Sequence, residues 1–221
     1  MTVLLDQVIS PDDVTRLTGL IASDSAAFED GKATAGWAAK RVKSNEQAKA
    51  GPKLDALRRD VRLALERHVL FAPYAQPKSI FRMLVSRYKP GMEYGLHVDD
   101  AVMSGHRADL SFTLFLSAPD SYQGGELIID GLEGETAVKL EPGQAVVYPT
   151  GALHRVAQVT SGERLAVVGW IQSLIRRGDQ REILFDLDQT IRALNETQAP
   201  DAILDRLLKT KANLLRQWAE L

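Results

Sequence analysis

Four histidines occur in the 221-residue chain, at positions 68, 97, 106 and 154. One opens the triplet His97-Val98-Asp99. In a strand, alternate side chains share a face, so His97 and Asp99 can reach one ion from a single rigid element. From this composition about 0.3 His-x-Asp triplets are expected by chance, so the spacing needs support from its context. His154 supplies it, following an apolar run at 145–148 and a Pro149-Thr150-Gly151 turn in a β-rich region where distant strands can lie side by side. Two imidazoles and one carboxylate on one face of an octahedral ion form the facial triad of non-haem Fe(II) oxygenases, leaving three positions open for co-substrate and dioxygen. His97, Asp99 and His154 are therefore the candidate metal ligands.

Arg164 follows His154 by ten residues and begins another apolar run. If 2-oxoglutarate chelates the metal through its keto-acid end, its far carboxylate needs a cation deeper in the fold, and a guanidinium can engage it with two hydrogen bonds. Tyr88 can add a phenolic hydrogen bond to the co-substrate, and Tyr94 can line the mouth of the site. Plainer readings stand beside these. His97 and Asp99 can be a strand-edge histidine and a solvated carboxylate, Arg164 can form a surface ion pair with Glu163 or Glu141, and the two tyrosines can be core-edge aromatics. His68 reads as a helix-end residue facing the negative end of the dipole, and His106 as a solvent-facing loop residue.

These residues need elements to hold them. Ser10-Pro11-Asp12-Asp13 is a helix start ahead of Val14, Leu17, Leu20 and Ile21 at helical spacing. Leu54, Leu57, Val61, Leu65 and Val69 predict a longer helix that stops before Pro73, with residues 42–50 leading into it. From Ser79 short apolar runs bounded by turn residues predict strands over 80–88, 110–118, 126–129, 136–140, 145–148, 154–159 and 164–171. That density suggests a sandwich or jelly roll. Helical spacing returns at Ile183, Leu184, Leu187, Ile191 and Leu194, and again after Pro200 from Ile203 to Trp218. The expected organisation is a helical support region over 1–77 within the same domain, a jelly-roll core over 78–178, and C-terminal helices over 179–221. The last helix is the candidate appendage and a candidate homo-oligomer face.

Composition narrows the function. A formal charge of -2, from 27 basic and 29 acidic residues, gives no global case for a nucleic-acid partner. No apolar run approaches the ~20 residues of a membrane helix, and no basic segment precedes an apolar N-terminal stretch, so a cytoplasmic protein is expected. The absence of cysteine removes disulfides, thiolate zinc sites and iron–sulfur clusters, leaving nitrogen and oxygen as metal donors.

Several motifs together carry a family resemblance. Arg87-Tyr88, Gly91-Met92-Glu93-Tyr94-Gly95-Leu96-His97-Val98-Asp99, Gly124-Gly125-Glu126-Leu127, Leu153-His154-Arg155-Val156 and Gly162-Glu163-Arg164 resemble the prolyl/lysyl-hydroxylase-type (PKHD) Fe(II) and 2-oxoglutarate dioxygenases. Phe28-Glu29-Asp30-Gly31-Lys32-Ala33-Thr34-Ala35-Gly36, Trp170-Ile171-Gln172-Ser173 and Arg181-Glu182-Ile183-Leu184-Phe185 resemble flanking segments of its bacterial branch, which is associated with iron uptake. The resemblance spans roughly residues 28–195. It implies a mainly β, double-stranded β-helix (jelly-roll) core with flanking helices. It further implies iron on His97, Asp99 and His154, 2-oxoglutarate on Arg164, dioxygen as oxidant, and L-ascorbate keeping the iron reduced. Asp100 stands where many relatives carry Asn, which places a second carboxylate beside the substrate pocket.

The expected activity is hydroxylation of an unactivated C–H bond, with succinate and carbon dioxide as co-products. The substrate is a prolyl- or lysyl-type side chain of a protein or peptide, or a small molecule. Rival readings are a non-catalytic jelly-roll module that binds a metal or small acid, oxidative demethylation of nucleic acid, and a structural dimerisation protein.

Overall fold

The computed structural model describes residues 1–22, 28–34, 36–37, 39–131 and 133–221. Ala35, inside the segment Phe28 to Gly36, lies outside the described residues. In chain order the elements are β1 Val3–Leu5, α1 Pro11–Ala22, β2 Phe28–Asp30, β3 Lys43–Ser44, β4 Glu46–Ala48, α2 Pro52–Arg67, α3 Phe71–Ala75, β5 Pro77–Tyr88 and β6 Glu93–His97. There follow β7 Val102–Met103, β8 His106–Arg107, β9 Leu110–Phe115, β10 Tyr122–Gly124, β11 Leu127–Gly131, β12 Gly134–Val138 and β13 Ala145–Pro149. The chain closes with β14 His154–Val156, β15 Val159–Gly162, β16 Arg164–Ser173, α4 Gly178–Glu196 and α5 Asp201–Trp218.

A seven-stranded sheet runs β1-β13-β9-β16-β5-β4-β2, and a five-stranded sheet runs β12-β11-β14-β6-β3. Neighbours in space are distant in sequence, as a jelly roll requires. Alternation along the strands divides the core in two. Outward-facing Met83, Val85, Leu110, Leu114, Val147, Leu165 and Val167 pack with Leu17 of α1 and Leu57, Val61 and Leu65 of α2. Tyr88, Phe115, Val146 and Tyr148 face the opposite way and meet Leu127, Ile129 and Val156 of the smaller sheet. Burying each such side chain contributes roughly 1.5–3 kcal/mol. The helices thus back the large sheet, and the space between the sheets is left for the site.

The N-terminal segment is more than helical support. Residues 42–50, expected to lead into a helix, form β3 and β4 instead, one on each sheet. The buried positions there are polar Lys43, Asn45 and Gln47, so hydrophobic periodicity could not reveal the strands. The second helix ends at Arg67, leaving Val69 half exposed. Pro73 does not stop it but lies in the first turn of α3, where a missing N–H leaves no helical bond unmade. The ring of His68 accepts from the Leu70 N–H at Nδ1 and donates from Nε2 to the Asp6 carbonyl, clipping the helix end to the N-terminal segment.

The last helix is tied at its middle and just beyond its C-terminal end. Lys211 pairs with Asp188 of α4, Glu220 N donates to the Leu174 carbonyl, and Arg107 pairs with Glu220 at 2.6 Å. Among the described residues no helix is long and apolar enough to cross a membrane.

Candidate active site

His97 ends β6 and His154 begins β14, and antiparallel pairing sets the two directly opposite each other. Asp99 lies in the loop just past β6, so it reaches the site by a turn of the chain and not by strand alternation as the sequence suggested. Its Oδ1 is 3.8 Å from His97 Nε2, and its Oδ2 is 3.7 Å from His154 Nε2. These distances are too long for hydrogen bonds. His97 Nδ1 donates to the Gly95 carbonyl at 2.8 Å and His154 Nδ1 to the Ala152 carbonyl at 3.0 Å. Both Nε2 atoms are therefore turned toward the carboxylate. Burial, with His154 beside it, holds the His97 ring down to about 4, so the imidazole is neutral and free to donate its lone pair. One ligand atom from each residue falls within 4.8 Å of the others, an arrangement that a divalent cation would satisfy.

The carboxylate is held from behind. Trp170 Nε1 donates to Asp99 Oδ2 at 2.8 Å, and Ser111 Oγ donates to the same oxygen at 3.1 Å. Ser111 is in turn 3.0 Å from Thr150 Oγ1. Such outer hydrogen bonds orient metal ligands and tune their basicity. The sheet supplies them in register: Tyr148, Ser111, Trp170 and Arg82 lie in one cross-strand row over β13, β9, β16 and β5.

Arg164, at the start of β16, is opposite Tyr88 at the end of β5. Only 1% of it is exposed, which removes the surface ion pair from consideration. Its guanidinium carbon lies 5.3 Å from the ring centres of both Tyr88 and Phe115. Its Nε has no hydrogen-bond partner, and no carboxylate among the described residues pairs with it. A buried, unpaired cation is costly, so this donor set fits an incoming carboxylate. The Tyr122 hydroxyl beside it is likewise buried without a partner. Tyr88 is buried in the same wall, and burial raises its phenol above the usual value.

Tyr94 stacks on His97 with ring centres 3.6 Å apart, while Asp100 lies exposed at the rim against Gly36. Both line one cavity with the three candidate ligands, Arg164 and Tyr88. His106 is not a solvent-facing loop residue: it stacks on Phe81 at 4.9 Å and contacts Gln172 Oε1 at 3.2 Å, outside that cavity. Sequence reasoning missed Lys43, Asn45, Arg82, Ser111 and Trp170, all of which line it.

Comparison with known proteins agrees with this geometry. Residues 83–172 match the 2OG-Fe(II) oxygenase superfamily, and residues 179–220 match the PKHD-type hydroxylase C-terminal domain. A PKHD-type hydroxylase from Maricaulis maris is 57% identical over all of both chains, and one from Acaryochloris marina is 49% identical over all of both. Among solved structures, a prolyl-4-hydroxylase from Pseudomonas putida aligns with a TM-score of 0.57 at 21% identity, covering 78% of this chain and 92% of the other. A prolyl hydroxylase from Trichoplax adhaerens, in complex with a hypoxia inducible factor peptide fragment, aligns with a TM-score of 0.60 at 13% identity, covering 77% and 83%. These two establish the shared jelly-roll fold. The chain belongs to the PKHD-type hydroxylases, oxidoreductases of the 2OG-Fe(II) oxygenase family, whose cofactors are Fe(II), 2-oxoglutarate and dioxygen.

Proposed function

We propose that this protein hydroxylates an unactivated C–H bond, using iron held by His97, Asp99 and His154 and 2-oxoglutarate held by Arg164. The observation that carries this reading is the buried, unpaired Arg164 guanidinium in the same cavity as the three converging ligand atoms. Bound Fe(II) and 2-oxoglutarate supply dioxygen activation, in which the keto acid leaves as succinate and carbon dioxide and one oxygen atom passes to the substrate.

The chain's own residues prepare that chemistry. Carbonyls of Gly95 and Ala152 fix both imidazoles with Nε2 toward the metal, and Trp170 and Ser111 steady Asp99. Arg164 would take the far carboxylate of the co-substrate through paired N–H donors, and Tyr88 would add a phenolic donor from the opposite strand. Phe115, Val146, Leu127 and Val156 keep the inner walls apolar and exclude water. Ascorbate would act only by returning iron to the ferrous state. The substrate is a side chain of a protein or peptide, or a small molecule, and the peptide-bound prolyl hydroxylase of related fold is compatible with the former.

Succinate release from 2-oxoglutarate under air, with Fe(II) and ascorbate, tests the reading. Turnover by the wild type that is lost in His154→Ala and Arg164→Ala is expected. Iron binding without turnover in any protein would favour a non-catalytic metal-binding module.

A further inference from the structure

The cavity holds two cations that the cofactors leave unused. Lys43, on β3, is 6% exposed, and its Nζ donates to Thr34 Oγ1 at 3.3 Å and lies 4.9 Å from the Tyr94 ring centre. Thr34 donates onward to Gln47 Oε1 at 2.7 Å. Arg82 sits with its guanidinium carbon 5.6 Å from the Trp170 ring centre. Neither pairs with a carboxylate among the described residues. Asn45 is not part of this pair: the β4–β5 register, continued by one residue, sets it opposite Tyr88 at the Arg164 end of the cavity, where it is 4% exposed. Its backbone is fixed by the Gly31 N–H at 2.9 Å, and a Cβ on Gly31 would come within 1.9 Å of Asn45 Oδ1, so the amide is held in place by the absence of a side chain there.

Position separates Lys43 and Arg82 from the co-substrate cation. Arg82 and Tyr88 lie on the same face of β5, six residues apart, or about 20 Å along an extended strand. Arg164 is opposite Tyr88, so one small dicarboxylate cannot reach both ends. Arg82 instead lies against the indole that donates to Asp99. Lys43 feels both Asp99 and Arg82, with Asp30 adding a weaker attraction. The two cations therefore border the metal site on the side away from Arg164.

Charge then suggests what they receive. With a divalent metal and a dianionic co-substrate in place, Asp99 and Arg164 bring the inner site to neutrality. Lys43 and Arg82 remain, opposed by Asp100, the other carboxylate on the described cavity wall. A monoanion balances them. We infer that the substrate is a small molecule bearing a free carboxylate, held between Lys43 and Arg82. An internal prolyl or lysyl residue of a protein chain has no carboxylate of its own. The carboxylate stands about one indole ring from the metal ligand Asp99, so the reacting C–H bond lies a few bonds from it. Burial and the neighbouring Arg82 push the Lys43 ammonium down to about 8, and a bound anion relieves both costs.

This inference rests on the cofactor reading above, and calorimetry separates the two. The protein is loaded with Mn(II) and N-oxalylglycine, a non-reacting mimic of the co-substrate, and titrated with N-acetylglycine and N-acetyl-L-proline and with the amide of each. At least one acid should bind about tenfold or more tightly than its amide. That preference should vanish in Lys43→Met and Arg82→Gln while Mn(II) and N-oxalylglycine still bind. Equal binding of acid and amide, no binding of either acid, or a preference that survives both substitutions overturns the carboxylate subsite and leaves the cofactor reading intact. Failure of Mn(II) or N-oxalylglycine to bind the wild type strikes the cofactor reading, and this inference falls with it.

Discussion

Trp170 Nε1 donates to Asp99 Oδ2 at 2.8 Å although 71 residues separate the two in sequence. The bond exists because Trp170 projects from the inner face of β16 beneath the loop that carries Asp99, and Ser111 on the neighbouring strand supports the same oxygen. Trp170→Phe keeps the ring and removes the donor. Metal affinity is expected to fall about tenfold or more with the fold unchanged, as a metal titration followed by circular dichroism will show.

Arg164 is expected to trade stability for binding. Arg164→Met removes a buried, unpaired guanidinium, so the ligand-free protein should gain about 1–3 kcal/mol in denaturant unfolding. The same change should weaken 2-oxoglutarate binding by about thirtyfold or more, read by calorimetry on the Mn(II) form. Arg164→Lys should recover only part of that affinity, because an ammonium cannot offer the paired donors.

Gly125 makes room for that guanidinium. Its φ of +69° is left-handed, and an added Cβ would lie 3.0 Å from the Tyr122 ring and 3.1 Å from Arg164 Cδ. Gly125→Ala should cost about 1–2 kcal/mol in backbone strain and also weaken 2-oxoglutarate binding. Thermal unfolding and the same calorimetric titration measure the two effects separately.

Lys43 makes stability depend on pH. Its ammonium titrates near 8 in the folded protein and near 10.5 when unfolded. Between those values the unfolded chain holds the extra proton, so this group's contribution to stability rises with pH through that window. Below 8 the buried charge destabilises the fold by its full amount. Lys43→Met should therefore be more stable than wild type by about 1–3 kcal/mol at pH 7, and the gap should close as pH rises toward 10.5. The difference between the two proteins is the quantity to measure, because buried tyrosines such as Tyr74 titrate late and lower the stability of both at high pH.

The candidate site is legible in the sequence where chemistry leaves a mark on residue type. His97 and Asp99 share one triplet, and His154 and Arg164 follow turn residues at strand starts, so the four stand out together, by type, spacing and context. The pairing of His97 with His154 is not legible, because strand order is set by contacts distant in sequence. Lys43, Asn45 and Gln47 escape notice for another reason. Their period-two burial is a strand signal, but it is written in polar residues, with Lys43 and Gln47 on strands of two and three residues and Asn45 between them, too short for periodicity to show. His106 reads as a loop residue because its partners Phe81 and Gln172 lie on β5 and β16, far from it in sequence.

The most direct test is an anaerobic titration of metal-free protein with Fe(II) and then 2-oxoglutarate, following the visible charge-transfer absorption of the iron–keto-acid chelate. The wild type should develop the band, His97→Ala should not, and Arg164→Ala should need far more 2-oxoglutarate to reach it. A wild type that binds iron yet shows no band, or an Arg164→Ala protein that titrates like the wild type, would contradict the assignment of this cavity to both cofactors.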